Sequence, residues 1–334
     1  MLKNYSNNKT SFRYYSYTKA FLLADFKILK KKCKEKEYDI IYLRLHWFLS
    51  IGFILFLRQV KKNNPAIIIN IEIPTYPYKE EIMGRFNKAR FLLTKLLTPL
   101  LKPYVNNIIT FSQHKKIWGI PAINLSNGYY NPELKTIQNS IILQNTDRDA
   151  KNFHIVMIAQ FSPWHAPDIL IESVNRYFLV NPNPRNIIVH LIGTGVDLEA
   201  CKGLVENYKL QKNILFYGEL DTEAIVKTVT AADICVGSLG HHRTDIQLSS
   251  SLKTREYAFL GMPIILKTAD LDFPDSLFFV KYFPDDDSLL DLNSIIYFLE
   301  MLKVQYPDYK NKIMDYANEN LTWRKKMNKV FETY

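Results

Sequence analysis

Residues 249–263 read Ser-Ser-Ser-Leu-Lys-Thr-Arg-Glu-Tyr-Ala-Phe-Leu-Gly-Met-Pro, a polar turn feeding a short helix that stops at Gly261 before an apolar run. A serine-rich turn ahead of a helix leaves the first backbone N–H groups without intrahelical partners, and the helix dipole adds positive potential there. Such a turn can hold a phosphate, with Ser250, Ser251, Leu252 and Lys253 as its candidate ligands. Glu256 falls about one helical turn further on, where a carboxylate can take a sugar hydroxyl beside that phosphate. A Ser-capped helix with a glycine stop accounts for the same residues without any ligand.

Other segments carry residue types suited to the same ligand. Gln160 to Asp168 brings Trp164 and His165 just after an apolar run, at the start of an amphipathic pattern formed by Ile169, Leu170, Ile171 and Val174. Gly193-Thr194-Gly195 permits close backbone approach, but two glycines without a third are poor evidence for a dinucleotide site. Backbone groups around Gly218, ahead of the cap candidate Asp221, can face a planar base. His242 and Arg243 add cations between residues 236 and 249, and an arginine fork grips a phosphate through two N–H groups. His241 and His242 are adjacent, a spacing that does not support a zinc pair, and no metal is expected. Glu72-Ile73-Pro74-Thr75-Tyr76-Pro77-Tyr78 joins a carboxylate to aromatics held by prolines, which suits sugar hydroxyls and apolar ring patches, or equally a stiff loop that packs its tyrosines.

The elements that must position these residues alternate in type. Strand candidates in the first half are Asp39 to Leu43, Ala66 to Ile73, Asn107 to Phe111 and Pro121 to Leu125, with helical patterns between them. In the second half they are Phe153 to Ile158, Ile187 to Ile192, Ile214 to Tyr217, Ile234 to Val236 and Pro263 to Leu266. The alternation predicts an α/β fold with parallel sheets covered by helices, in which ligands bind beyond the carboxyl ends of the strands. A length of 334 residues exceeds what one core usually supports. The turn signal Asn127-Gly128 divides residues 1–128 from 129–315, with a closing helix in 316–334 expected to return towards the first domain.

Charge is uneven along the chain. The first 150 residues hold 24 Lys+Arg against 10 Asp+Glu, the remainder 19 against 23, so an anionic partner is expected for the first half. Arg85 to Lys102 mixes cations with leucines, as in helices that lie on an anionic membrane surface, or in a core helix with a solvated basic face. Nothing resembles a nucleic-acid motif, so no nucleic-acid partner is expected. Cys33, Cys201 and Cys235 are odd in number and widely spaced, which suits a reducing compartment; the polar first ten residues carry no secretory pattern. A cytoplasmic location is expected, and no run is long enough to span a bilayer.

Taken in order, Glu72 to Tyr78, Ser126-Asn127-Gly128, Trp164-His165 with Asp168, His242-Arg243, and Leu252 to Tyr257 with Gly261 and Pro263 resemble the glycosyltransferase family 4 enzymes of bacterial polysaccharide synthesis. The resemblance runs from about Tyr38 to the C-terminus and implies the GT-B fold, two facing Rossmann-like domains with parallel sheets. It implies transfer of a sugar from a nucleotide-sugar to a glycan, in capsule-type synthesis on a lipid-linked acceptor, with retention of configuration and no metal or other cofactor. Under it, Glu256 bonds the ribose; Trp164, Gly193, Gly218, His242 and Ser250 to Lys253 hold the donor; Glu72, His165 and Arg243 are the catalytic candidates; and Thr75, Tyr76 and Tyr78 face the sugar or acceptor.

Departures from the pattern matter. Leu248 stands where the family has a first glutamate, and Gln160 and His165 stand where it has the Arg and Lys of the diphosphate loop. His165, Arg243 and Lys253 are therefore expected to supply the positive charge. Met1 to Glu37 contain no glycine, so the first Rossmann-like unit is expected to be shortened. A non-catalytic nucleotide-sugar-binding partner of a synthesis complex is the alternative reading.

Overall fold

The computed structural model describes residues 5–7, 10–12, 38–45, 49–74, 76, 85–134, 137, 151–244 and 246–334, with backbone alone for 5–7, 10–12 and 85–90. The chain divides into two compact units, Met1–Ser126 and Asn127–Tyr334.

In the first unit, a short antiparallel pair, β1 (Tyr5–Asn7) and β2 (Thr10–Phe12), precedes a five-stranded sheet. That sheet contains β3 (Ile40–Arg44), β4 (Ile68–Glu72), β5 (Asn107–Thr110), β6 (Lys116–Ile117) and β7 (Ile120–Asn124) in the order β3-β4-β5-β7-β6. All pairings are parallel except the terminal β6–β7 hairpin. Ile69 and Ile71 of β4 are fully buried, as a strand between two neighbours requires. Helix α1 (Ile51–Asn63) starts where Ser50 Oγ accepts from the Phe53 N–H at 3.2 Å. Its buried face is Phe53, Phe56, Leu57 and Val60, the spacing of one helical stripe. Helix α2 (Arg85–Leu97) runs into a 3₁₀ turn at Thr98–Leu101.

The second unit is a six-stranded parallel sheet: β8 (Asn152–Ile158), β9 (Asn186–Ile192), β10 (Ile214–Gly218), β11 (Ile234–Val236), β12 (Ile264–Leu266) and β13 (Val280–Tyr282). Their order is β10-β9-β8-β11-β12-β13. Connecting helices are α3 (Pro167–Val180), α4 (Leu198–Asn207), α5 (Thr222–Ala231) and α6 (Leu252–Phe259), and α7 (Leu292–Gln305), α8 (Tyr309–Asn320) and α9 (Trp323–Phe331) close the chain. Every strand predicted from the sequence is present within one or two residues of its expected ends. Strand β13 is additional; only Val280 of its three residues is buried, so it lacks the apolar run that marks its neighbours.

The order of this sheet decides where a ligand can sit. From β8 the chain adds β9 and β10 on one side, then crosses to add β11, β12 and β13 on the other. The loops leaving β8 and β11 therefore part in opposite directions and leave a crevice at the carboxyl ends of those strands.

Candidate functional site

The loop after β8 carries Trp164 and His165, and the loop after β11 carries His241, His242 and Arg243 before the serine turn and α6. Two backbone bonds join these loops: the Leu239 N–H donates to the His165 carbonyl at 3.1 Å, and that of Gly240 to the Trp164 carbonyl at 3.3 Å. A Cβ on Gly240 would lie 2.3 Å from the Pro163 carbonyl oxygen, so the approach depends on glycine.

Lys253, in the first turn of α6, has a half-buried stem and a fully buried Nζ that has no hydrogen-bond partner among the described residues. Burial pushes its pKa down to about 7, because a low-dielectric site disfavours the ammonium form. His165 is pushed down to about 3, by burial first and then by the charge of Lys253. Ser162 Oγ donates to the Gln160 carbonyl at 3.0 Å and lies 2.9 Å from His165 Nδ1. That hydroxyl can then accept only from a protonated Nδ1, which assigns the tautomer and leaves Nε2 as the acceptor. His241, 8% exposed, has a buried Nδ1 without a partner, and burial and Lys253 push it down to about 4. Three basic groups thus gather at this junction, and among the described residues no carboxylate is hydrogen-bonded to any of them.

The serine turn itself is fastened. Ser250 Oγ accepts from the Asn127 N–H at 2.7 Å and its carbonyl from Asn127 Nδ2 at 2.5 Å, while the Ser249 N–H donates to the Ala269 carbonyl at 2.8 Å. Ser251 is the N-cap but makes no side-chain cap bond, and Leu252 is exposed. Burial raises the Glu256 pKa, and the neighbouring Tyr129 phenol works against that rise.

Several of the predicted site residues already have partners within the protein. Arg243 does not present a free fork: its two NH groups hold Asp168 at 3.1 and 2.9 Å, and Nε donates to Asp287 at 2.8 Å. His242 likewise lies 3.4 Å from Asp285 and 3.0 Å from Asp287. The acidic run 285–287 follows β13 and claims both side chains, and that strand was not foreseen. Gly193 serves a contact between loops, since a Cβ there would lie 1.9 Å from the Ala159 carbonyl; at Gly195 it would lie 2.2 Å from that of Phe161. Gly218 adopts φ +66° with open space on its Cβ side, and its carbonyl accepts from the Gly193 N–H at 2.7 Å.

In the first unit, Glu72 is 0% exposed, and its Oε1 has no hydrogen-bond partner among the described residues. It accepts from Tyr42 at 2.6 Å and lies 3.3 Å from Arg44 Nε. Burial raises its pKa, and Arg44 and then Tyr42 work against that rise. Tyr76 packs edge-on to His114 with ring centroids 4.9 Å apart. Thr75 and Tyr78 lie outside the described residues, as do the side chains of 85–90. On the rest of α2 and the turn after it, Thr94, Leu97 and Leu101 are buried, whereas Leu92, Leu93, Leu96 and Leu100 are exposed, Leu96 at 69%. Among the described residues no helix is long and apolar enough to cross a membrane, and no three His, Cys, Asp or Glu side chains are grouped to hold a metal.

Two groups stand out beyond the predicted site residues. The sequence weighs His241 only as half of a zinc pair its spacing does not support. Arg255 is 0% exposed and bonds Asp270 through both oxygens, Asp272 at 2.6 Å, Thr254 Oγ1 at 3.1 Å, and the carbonyls of Ser251 at 3.1 Å and Asn127 at 3.3 Å. Lys326 of α9 adds a second cation on Asp272 at 2.5 Å.

Residues 139–239 match a family described as "Glycosyl transferases group 1". No curated protein matches the sequence. Among solved structures, a glycosyltransferase from Rickettsia africae superposes with a TM-score of 0.62 at 14% identity, over 93% of this chain and 80% of that one. Sucrose-phosphate synthase from Thermosynechococcus elongatus gives 0.61 at 13%, over 92% and 77%. Anabaena HepE, solved with UDP and glucose, gives 0.57 at 13%, over 92% and 80%. Identities this low speak to architecture alone, and on that ground the two Rossmann-like α/β units, each with a mostly parallel sheet, have the GT-B fold.

Proposed function

We propose that this chain is a glycosyltransferase that takes a sugar from a nucleotide-sugar donor and passes it to a lipid-linked glycan in cell-surface polysaccharide synthesis, at the cytoplasmic face of a membrane and with retention of configuration. One observation carries the reading: the buried, unpartnered ammonium of Lys253 at the start of α6, beside the β8/β11 crevice. A buried cation without a counter-ion is costly unless a ligand supplies the missing charge. A diphosphate does so, and the α6 N-terminus adds to its binding.

The chemistry follows from that placement. As the bond between the anomeric carbon and the diphosphate breaks, negative charge grows on the leaving oxygens, and Lys253 and the helix dipole stabilise it most at that moment. Glu256, oriented by Tyr129, takes a ribose hydroxyl. Arg243 acts indirectly, as part of the cluster with Asp168 and Asp287 that holds the loop in place. UDP and glucose are the ligands of HepE, and the same ligand class is proposed for this fold here.

The experiment is donor turnover with an acceptor extract from membranes, monitored by release of nucleoside diphosphate. Release that depends on acceptor and is lost in Lys253→Met supports transfer. A non-catalytic donor-binding role is favoured by Leu248, an apolar residue where the resembled family has a carboxylate; tight nucleotide binding with no turnover in any extract would establish that role instead.

A further inference from the structure

We propose that His241 is a ligand-binding group of the anion pocket and that it takes up a proton when a diphosphate binds. The inference rests on the nucleotide-sugar reading and adds a residue and a proton to it.

The geometry comes first. His241 opens the 3₁₀ turn His241–Thr244, and its backbone carbonyl accepts from Thr244 Oγ1 at 3.0 Å and from the Ile246 N–H at 3.3 Å, so the ring is carried on a fixed turn. The residue is more than nine-tenths buried, yet Nδ1 has no partner among the described residues. A buried ring nitrogen left unpaired is costly, and a polar partner that enters the site from outside the protein relieves that cost. The loop bonds that join residues 164–165 to 239–240 bring His241 to the same crevice as His165 and Lys253. That crevice lies at the switch point of the sheet, where an anion on the α6 N-terminus meets all three groups.

The charges around the ring set the direction of the proton. Lys253 on α6 and the adjacent His242 oppose its protonation, Asp285 beyond β13 favours it, and His165 on the loop after β8, itself held neutral, adds no charge. Asp285 and Asp287 are already engaged with His242, and Asp287 and Asp168 with Arg243. The balance, with burial, holds His241 neutral near pH 7, its pKa pushed down to about 4. A diphosphate brings negative charge into contact with the ring and reverses that balance. The proton comes from solvent and is added at an imidazole nitrogen; no covalent bond to the ligand forms or breaks. Since the pKa of His241 rises on binding, the extra affinity is present at low pH and is lost as pH rises through the value in the complex.

The test uses UDP, GDP and ADP as probes on the intact chain. With the tightest of them, calorimetry at pH 6.5 in buffers of different ionisation enthalpy counts the protons taken up by the wild type and by His241→Asn. Ionisation of the nucleotide and proton uptake by Lys253, whose pKa lies near 7 without ligand, occur in both proteins, so the difference reports His241. The expected result is fewer protons taken up by the variant and an affinity about tenfold weaker at pH 6, converging on the wild type above pH 8. Histidine ¹⁵N resonances of the wild-type protein give a readout free of folding defects, with the His241 ring charged in the complex. Equal proton counts and a pH-independent affinity difference, or a neutral His241 ring in the complex, would overturn the proposal. Failure of all three nucleotides to bind the wild type is a separate outcome and overturns the nucleotide reading itself.

Discussion

Two basic side chains two residues apart on the same helix have opposite surroundings. Arg255 is saturated: Asp270, Asp272, Thr254 and two backbone carbonyls take up its guanidinium, and Phe273 lies 5.2 Å below it. Lys253 is equally buried at its charged end and has no partner. Folding alone requires the first arrangement, because a buried charge must be compensated from within. The second is a cost to the protein unless something outside supplies the counter-charge. The contrast therefore separates the residue that builds α6 from the residue that uses it. Arg255 draws together Ser251, Asn127 and Asp270, which fixes the serine turn and so the position of Lys253.

The sharpest way to break the comparison is to exchange the effects of the two residues. Arg255→Met leaves Asp270 and Asp272 buried without their main partner and is expected to destabilise the second unit by about 3–5 kcal/mol, read by chemical denaturation. A loss within experimental error would mean that the network is not structural. Lys253→Met, by contrast, keeps the apolar stem and removes an uncompensated ammonium; stability should be unchanged or higher, while nucleoside diphosphate affinity falls by about 100-fold, some 2.7 kcal/mol.

Gly240→Ala probes the junction that brings His165 and His241 to Lys253. Its Cβ would strike the Pro163 carbonyl, and a cost of about 1–3 kcal/mol is expected, with weaker nucleotide binding. Full stability with full affinity would show that the two loops tolerate separation.

The last effect is a pH dependence. The unfolded chain keeps the Lys253 proton to its ordinary value of 10.5, whereas the folded chain releases it near 7. Between those values the unfolded state binds more protons, so this group makes stability rise with pH. The advantage of Lys253→Met over the wild type in thermal unfolding should thus be greater at pH 6.5 than at pH 9. A constant difference would mean that the amine is solvated.

What could be read from the sequence was whatever local chemistry determines. β-branched runs gave the strands, and the order Ser-Ser-Ser-Leu-Lys with Glu256 marked a helix start suited to an anion. What could not be read depended on partners far along the chain. Arg243 looked available because Asp168 and Asp287 are distant in sequence, and Gly193 looked like a ligand contact because nothing local shows the Ala159 carbonyl against it. Arg255 passed unremarked because α6 is buried on several sides and lacks the stripe that distinguishes a core position from a surface one. Glu72 illustrates the same limit: a carboxylate at a strand end reads as a site, and nothing local shows its burial beside Tyr42 and Arg44.

The most direct measurement is thermal unfolding of the wild type and Lys253→Met with UDP, GDP and ADP. For the wild type, one nucleotide present at 100 times its Kd should add about 2.7 kcal/mol of apparent stability, raising Tm. In Lys253→Met, no less stable without ligand, the same concentration should give little or no shift. A variant that is destabilised on its own yet responds to the nucleotide as the wild type does would contradict the assignment of Lys253 to the ligand.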